Sequence, residues 1–318
     1  MRVGILGLAH PRVYDYLKHL RTLADVEVIG VWDQDGARAR QVAAGFEVAV
    51  HTAPETLLGQ QPDGAIVCAP PAARHALVAQ AAEAASWLMC EVPLGATLAD
   101  ARAMAEACES RGAKLLPAFT LRFAPALLAL KQWLDEGKLG QLLSVKLAHP
   151  GKRPAGGAAT GGAVFQRAPH ALDLMRWLLA TEVAEVYAEI GKGLLHAGMD
   201  SDDVGLLSVA LANGVYATLD VSWSLPPTYP THESLGMEII GDAGSVRLDA
   251  FRQNIDLYAD DVAWVNWGSD AARELLRHYI SCMAEGQPPA AGAQDAIRAQ
   301  EIVQAAYQSA SVGAPVKV

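Results

Sequence analysis

VGILGLAHPR, residues 3–12, sets a short apolar run directly against a turn that holds one glycine, one proline, a histidine and an arginine. The run VGIL (3–6) reads as a buried strand, and the spacing over 12–23 reads as the helix that follows it. The turn between them, Gly7-Leu8-Ala9-His10-Pro11-Arg12, has the position of a glycine-rich turn that brings backbone N–H groups at a helix N-terminus against a pyrophosphate. Gly7 is in place, while Ala9 and Arg12 stand where further glycines are usual. A bound phosphate would offset the unfavourable placement of Arg12 in a first helical turn. The next strand, VEVIGVWD, ends at Asp33, 26 residues beyond Gly7. A carboxylate there accepts hydrogen bonds from adenosine ribose hydroxyls and repels a 2′-phosphate, so NAD is expected in preference to NADP. Asp33 as a solvated turn residue is the alternative.

The same rhythm continues outward. Strands read at AIVCA (65–69), SWLMC (86–90) and AKLLPAF (113–119), with helices near 36–44, 73–85 and 97–111. Strands that are apolar throughout, alternating with helices, predict a parallel sheet covered on both faces and wound in both directions. Ligands of such sheets sit at the carboxyl ends of the strands. The loops GLAHPR, WDQDG, APPAARH and CEVPLG gather there, bringing Pro70, His75, Glu91 and Pro93 to the candidate cofactor cleft. Beyond residue 120 the pattern changes. A helix near 123–136 leads to LLSVKLAHP (142–150), a glycine-rich loop and a helix at 169–180. Alternating strands joined by turn residues follow (183–190, 204–211, 214–222, 235–240, 244–249, 254–258), then helices at 270–285 and 292–310. The fold class is α/β: a doubly wound parallel sheet over 1–120, then an α+β domain on a mostly antiparallel sheet over 121–318.

Composition narrows the function. Apolar residues make up 52% and charged residues 19% of 318, as in a folded globular chain. The formal charge of −10 disfavours nucleic acid and anionic membranes as partners and leaves a small-molecule substrate. Cysteines 68, 90, 108 and 282 are far apart in apolar stretches, which predicts buried thiols and no metal site. A strand at the first residues leaves no room for a signal peptide, and no long apolar run offers a membrane span, so a cytoplasmic protein is expected.

Taken in order, GILGLAH, GVWD, AIVCAPPAARH, CEVPLGATLADA, LRF, GGAVFQRAPHALDLMRWLL and MEIIGDAGSVRLD resemble the Gfo/Idh/MocA family, the relatives of glucose–fructose oxidoreductase and inositol dehydrogenase. The resemblance runs nearly end to end. It implies an N-terminal Rossmann domain, a C-terminal domain with a large open sheet, NAD(P), a sugar or polyol substrate, and a homodimer or homotetramer formed through that sheet. The family's Glu-Lys-Pro corresponds to Glu91-Val92-Pro93, so the lysine that would lie beside the nicotinamide is a valine. Its Asp-x-x-x-His pair corresponds to Gln166 and His170, with Asp173 one helical step on. His170 is then the expected acid/base, and Gln166 a hydroxyl partner without the charge that would raise the histidine's basicity.

Other groups are candidates for the vacated roles. Lys152, in LAHPGKRP beside His149 and Arg153, is a possible substitute for the lysine or a surface cation. His149 and Arg122 are candidate substrate contacts, Arg122 alternatively an interdomain bond. Tyr229 and His232 line either the pocket or a subunit contact, and Trp223, Trp264 and Trp267 either stack on a sugar or belong to the core. An NAD-dependent oxidoreductase leads the readings. A redox-neutral lyase or glycosidase that keeps NAD bound, and a non-catalytic ligand-binding protein, are the alternatives.

Overall fold

The computed structural model describes residues 1–154, 161–251, 254–258, 262–266 and 270–318. Two compact units emerge: Met1–Thr120 with Ala271–Arg298, and Leu121–Asp270 with Ala299–Val318.

In the first unit, β1 (Arg2–Leu6), β2 (Glu27–Trp32), β3 (Gly64–Val67), β4 (Trp87–Cys90) and β5 (Lys114–Pro117) form a parallel sheet in the order β2-β1-β3-β4-β5. The strands are buried because both faces carry apolar side chains: Val3, Ile5, Leu6, Ile66, Val67, Leu88 and Met89 are fully inaccessible. The helices α1 (Val13–Leu20), α2 (Gly36–Phe46), α3 (Pro54–Leu58), α4 (Pro71–Ala82) and α5 (Leu98–Ser110) link them. The order reverses between β1 and β3, and that switch point is where such a sheet opens a crevice. The short α3 was not anticipated, since five residues carry too little periodicity to reveal it. The helix α4 begins two residues before the expected 73, because Pro71 occupies its first turn, where the missing N–H costs nothing.

The return of residues 271–298 to this unit is a matter of packing. Tyr279, fully buried, donates its hydroxyl to Trp87 O at 2.9 Å. A Cβ at Gly64 would collide with that hydroxyl, so the glycine at the start of β3 lets the late helix approach the sheet.

The second unit holds α6 (Pro125–Asp135), β6 (Leu142–Ala148), α7 (Ala163–Leu179) and β7–β11 (Val183–Lys192, Asp202–Leu211, Tyr216–Asp220, Gly236–Gly241, Ser245–Asp249). A hairpin follows, of β12 (Asn254–Tyr258) and β13 (Val262–Asn266), then α8 (Ala271–Glu285), α9 (Ala293–Val312) and β14 (Val316–Lys317). The sheet order is β11-β10-β6-β9-β8-β7-β14, antiparallel except for β6 beside β9. Register separates its faces. Val145, Leu147, Leu207, Val209, Ala217, Leu219, Met237 and Ile239 are buried on one face, while Leu206, Tyr216 and Ile240 are exposed on the other.

The expected helix at 169–180 starts six residues earlier, at Ala163, and runs through Pro169. Its N-terminus is held by side chains that proline rules cannot show. Asp202 Oδ2 accepts from Val164 N (2.8 Å), and Tyr307 Oη accepts from Phe165 N (3.1 Å) while donating to Asp202 Oδ1 (2.8 Å). Strand β14, also unanticipated, is anchored through Ser309, whose hydroxyl donates to Ala314 O (2.8 Å) and accepts from Ala188 N (3.1 Å). All four cysteines are free and buried. Burial pushes the Cys90 thiol up to about 12 and Cys108 to about 11, away from the thiolate form that reacts. Among the described residues no helix is long and apolar enough to cross a membrane.

Candidate functional site

The exits of β1 and β2 are built around one glycine and one carboxylate. Gly7 has φ +80°, its N–H donates to Trp32 O (2.7 Å), and a Cβ there would stand 2.5 Å from the Ala69 backbone. Only glycine closes this turn. Asp33, 7% exposed, accepts from Leu8 N (2.5 Å) through Oδ2 and from Asp35 N (2.7 Å) through Oδ1, with Arg38 Nη1 at 3.3 Å. The alternative of a solvated turn residue is thereby removed. Arg38 Nη1 also lies 3.5 Å from Oδ2, so the four contacts match the roughly four acceptor positions of an ionised carboxylate, and the long Arg38 contacts are the ones a ribose hydroxyl would displace. Ala9 is exposed.

Glu91, at the exit of β4, is 1% exposed. Its Oε1 accepts from Tyr16 Oη at 2.6 Å and lies 3.3 Å from His10 Nδ1. Burial by itself would raise the carboxyl pKa. The opposing charges of His10 and Arg12 and the Tyr16 hydrogen bond outweigh it and hold Glu91 well below the usual carboxylate range. Burial and the same carboxylate push the Tyr16 hydroxyl well above its ordinary value. Arg12, the residue that stands in for a glycine, therefore has a buried counter-charge, and its Nη1 also donates to Thr120 Oγ1 (2.8 Å). Glu91 Oε2 and His10 Nδ1 are buried without a hydrogen-bond partner among the described residues. A glycine-only turn, a buried carboxylate at the β2 exit and these orphaned polar atoms fit a dinucleotide laid across the strand exits.

Sequence reasoning passed over Arg74. It is 2% exposed and donates through Nε to Ala69 O (2.7 Å) and through Nη1 to Glu91 O (2.8 Å) and Pro93 O. It thus ties the exit of β3 to the exit of β4, where Val92 is buried and the Val92–Pro93 peptide is cis. Its helical spacing from the buried Leu77 and Val78 was the available signal. Pro70 is exposed at the N-cap of α4. His75 lies in the second turn of α4, which starts at Pro71, and its Nδ1 is 3.9 Å from Asp100 Oδ1 of α5.

In the second unit, Arg122 and Asp173, both read as substrate contacts, are buried and joined in a bidentate pair. Arg122 donates through Nε to Oδ2 (2.8 Å) and through Nη2 to Oδ1 (2.5 Å). His149, also read as a substrate contact, is fully buried. Its Nδ1–H donates to Ser234 O (2.9 Å) and its Nε2 accepts from Arg167 Nη2 (2.8 Å). Burial and the adjacent Arg167 hold its pKa well below the ordinary imidazole value, against the opposing pull of Glu233. Both ring nitrogens are thus engaged within the second unit. His170 lies edge-on to it, with ring centroids 6.4 Å apart. Gln166, four residues earlier on α7, shares that helix face with His170, and both are partly exposed.

Lys152 is partly exposed, with its backbone N–H on His232 O (2.9 Å); among the described residues its ammonium has no ion pair. Trp223 is 1% exposed and belongs to the core. Trp267, and the middle of the glycine-rich loop, lie outside the described residues. No group of three His, Cys, Asp or Glu among the described residues is arranged to hold a metal.

Residues 1–119 match the model of an oxidoreductase family with an NAD-binding Rossmann fold, and residues 127–247 match the GFO/IDH/MocA C-terminal domain. Inositol 2-dehydrogenase 2 of Paenarthrobacter aurescens is 31% identical over 97% of this chain and 96% of its own. D-apiose dehydrogenase of Paraburkholderia graminis is 26% identical over 96% and 86%. The crystal structure of GenD2 from gentamicin A biosynthesis in complex with NAD is similar over 100% of this chain and 96% of that one, with 25% identity and a TM-score of 0.90.

Proposed function

We propose, given that this chain belongs to the GFO/IDH/MocA oxidoreductase family with an NAD-binding Rossmann domain, that it oxidises a sugar, a polyol or a related hydroxylated small molecule. The observation that carries this reading is the alignment of an inositol 2-dehydrogenase along 97% of the chain. Bound NAD supplies the acceptor for the hydrogen and electron pair leaving a carbinol carbon. Gly7 lets the backbone approach the pyrophosphate, Asp33 binds the adenosine ribose, and Arg74 fixes the loop of Glu91 and Pro93. His10, Arg12, Ala9, Pro70 and His75 complete the cofactor's surroundings. On α7, His170 accepts a hydroxyl proton and Gln166 orients the hydroxyl, with Lys152 as a further polar contact.

The test is direct. Titration calorimetry is expected to give NAD+ binding tighter than NADP+ binding, and myo-inositol or another member of a polyol and sugar panel is expected to generate NADH absorbance. Flat calorimetric traces with both cofactors would overturn the reading. The exposed sheet face bearing Leu206, Tyr216 and Ile240 supports a homodimer or homotetramer, to be checked by light scattering. Four buried, unbridged thiols support a cytoplasmic setting.

A further inference from the structure

The carboxylate at the exit of β2 has two kinds of partner. Asp33 Oδ2 accepts from Leu8 N at 2.5 Å and Oδ1 from Asp35 N at 2.7 Å, both of them backbone groups. The other partner is a side chain. Arg38 Nη1 lies 3.3 Å from Oδ1 and 3.5 Å from Oδ2, longer than the roughly 2.7–2.9 Å usual for a guanidinium on a carboxylate. The Asp33 side chain is 4% exposed and that of Arg38 39%. The pair is closed at its acidic end and open at its basic end.

Local sequence places that guanidinium. Asp35 caps α2, its Oδ1 accepting from Ala37 N (2.9 Å) and Arg38 N (3.2 Å), which puts Arg38 in the first helical turn. A cation there opposes the helix dipole, so helix stability does not account for it. Two carboxylates balance the charge instead: Asp33, and Asp35, whose Oδ2 is 3.7 Å from Arg38 Nη2. The Arg38 and Ala37 N–H groups, with the charges of Arg38 and Arg40, hold the Asp35 carboxyl below its usual range. Asp35 therefore stays ionised and offers the guanidinium a second partner. A hydroxyl bonded to Asp33 Oδ1 stands no more than about 6 Å from Arg38 Nη1, so a group esterified to that hydroxyl is within the side chain's reach.

We propose that Arg38 is a specificity-determining residue that sets how far this chain admits NADP+, an inference that rests on the NAD-dependent reading above. Without cofactor, Arg38 completes the bonding of Asp33. With NAD+, ribose hydroxyls take over Asp33 and the guanidinium turns to Asp35. With NADP+, the 2′-phosphate, about −1.5 to −2 in charge, meets a carboxylate that backbone N–H groups hold in place. Arg38 then supplies the neighbouring cation that offsets the repulsion. Asp33 makes NAD+ the preferred cofactor, and Arg38 limits the size of that preference. Arg40, also on α2, acts on Asp35 and has no bond to Asp33 among the described residues.

The experiment measures NAD+ and NADP+ affinity by calorimetry for the parent, Arg38→Met, Arg38→Lys and Arg40→Met, and for Asp33→Asn alone and combined with Arg38→Met. Arg38→Met is expected to bind NAD+ within about threefold of the parent and NADP+ at least about tenfold more weakly. Arg38→Lys recovers part of that loss, because the charge remains while the planar fork does not. Arg40→Met leaves the ratio of the two affinities unchanged. NADP+ binding weakens more steeply with salt in the parent than in Arg38→Met. Where the parent binds NADP+ too weakly to measure, Asp33→Asn is expected to bring it into range and the added Arg38→Met to remove it. Three results overturn the inference and leave the oxidoreductase reading intact: a ratio that Arg38→Met does not move in either background, a shift carried by Arg40→Met, or NADP+ that no variant binds while NAD+ still does. Equal loss of both cofactors in Arg38→Met also overturns it. A parent that binds neither cofactor removes both readings.

Discussion

Two buried carboxylates, one in each unit, differ in how completely they are matched. Asp173 meets Arg122 fork to fork, with both oxygens engaged at 2.8 and 2.5 Å. Glu91 has one oxygen on Tyr16 and near His10, and the other without a hydrogen-bond partner among the described residues. Burial is nearly the same in the two cases, so burial does not separate structural groups from functional ones. Completion does. Each oxygen of Asp173 has a charged partner, whereas one oxygen of Glu91 has no hydrogen-bond partner among the described residues, and a buried polar atom in that state calls for an explanation such as a ligand.

The largest expected effect comes from opening the closed pair. Arg122→Met strands a buried Asp173 and is predicted to cost about 3–5 kcal/mol in urea denaturation. Arg122→Met with Asp173→Leu should recover most of that, because neither charge then remains. If the single variant matched the parent, the pair would not be the closed structural element described here.

Asp33 tests the cofactor side of the comparison, as a buried carboxylate whose weakest partner is the long contact to Arg38. Asp33→Asn removes charge-assisted hydrogen bonds worth about 1.5–3 kcal/mol. Calorimetry is therefore expected to show NAD+ affinity falling about 10–100-fold, and discrimination against NADP+ narrowing. Unchanged preference would place the ribose elsewhere.

Acidity should separate the two units. His149 has a depressed pKa, so its contribution is complete above the unfolded imidazole value of roughly 6.5 and is lost as pH falls below it, by up to about 1.4 kcal/mol per pH unit. Glu91 also has a depressed pKa, but its contribution is complete above the unfolded carboxyl value of roughly 4.3 and is lost only below that. Hydrogen exchange across a pH series should show the second unit weakening first, and His149→Gln should delay that onset. The smallest effect is expected at His75. It is half exposed and 3.9 Å from Asp100, so His75→Ala should alter stability by less than about 1 kcal/mol. A larger loss on thermal denaturation would give α4 and α5 a coupling that their surface pair does not explain.

Much of the architecture was legible because it rests on local chemistry. Apolar runs such as AIVCA and SWLMC specify buried parallel strands wherever they occur, and Gly7 followed by Asp33 marks the first crossover and its ligand end. The helix at 163–179 was only half legible, since Pro169 signals a helix start by its missing N–H. The true start depends on Asp202 and Tyr307, far away in the chain.

The amino-acid order alone determined the alternation of elements, the acidic residue at the β2 exit, and the replacement of a lysine by Val92. Only the tertiary structure decided which polar groups are spent and which are not. Arg122 and His149 are engaged by partners brought in by folding, while His10 and Glu91 meet across 81 positions of sequence and stay incomplete. Spacing along a chain records where a side chain begins. Hydrogen-bond satisfaction depends on what distant segments bring to its other end.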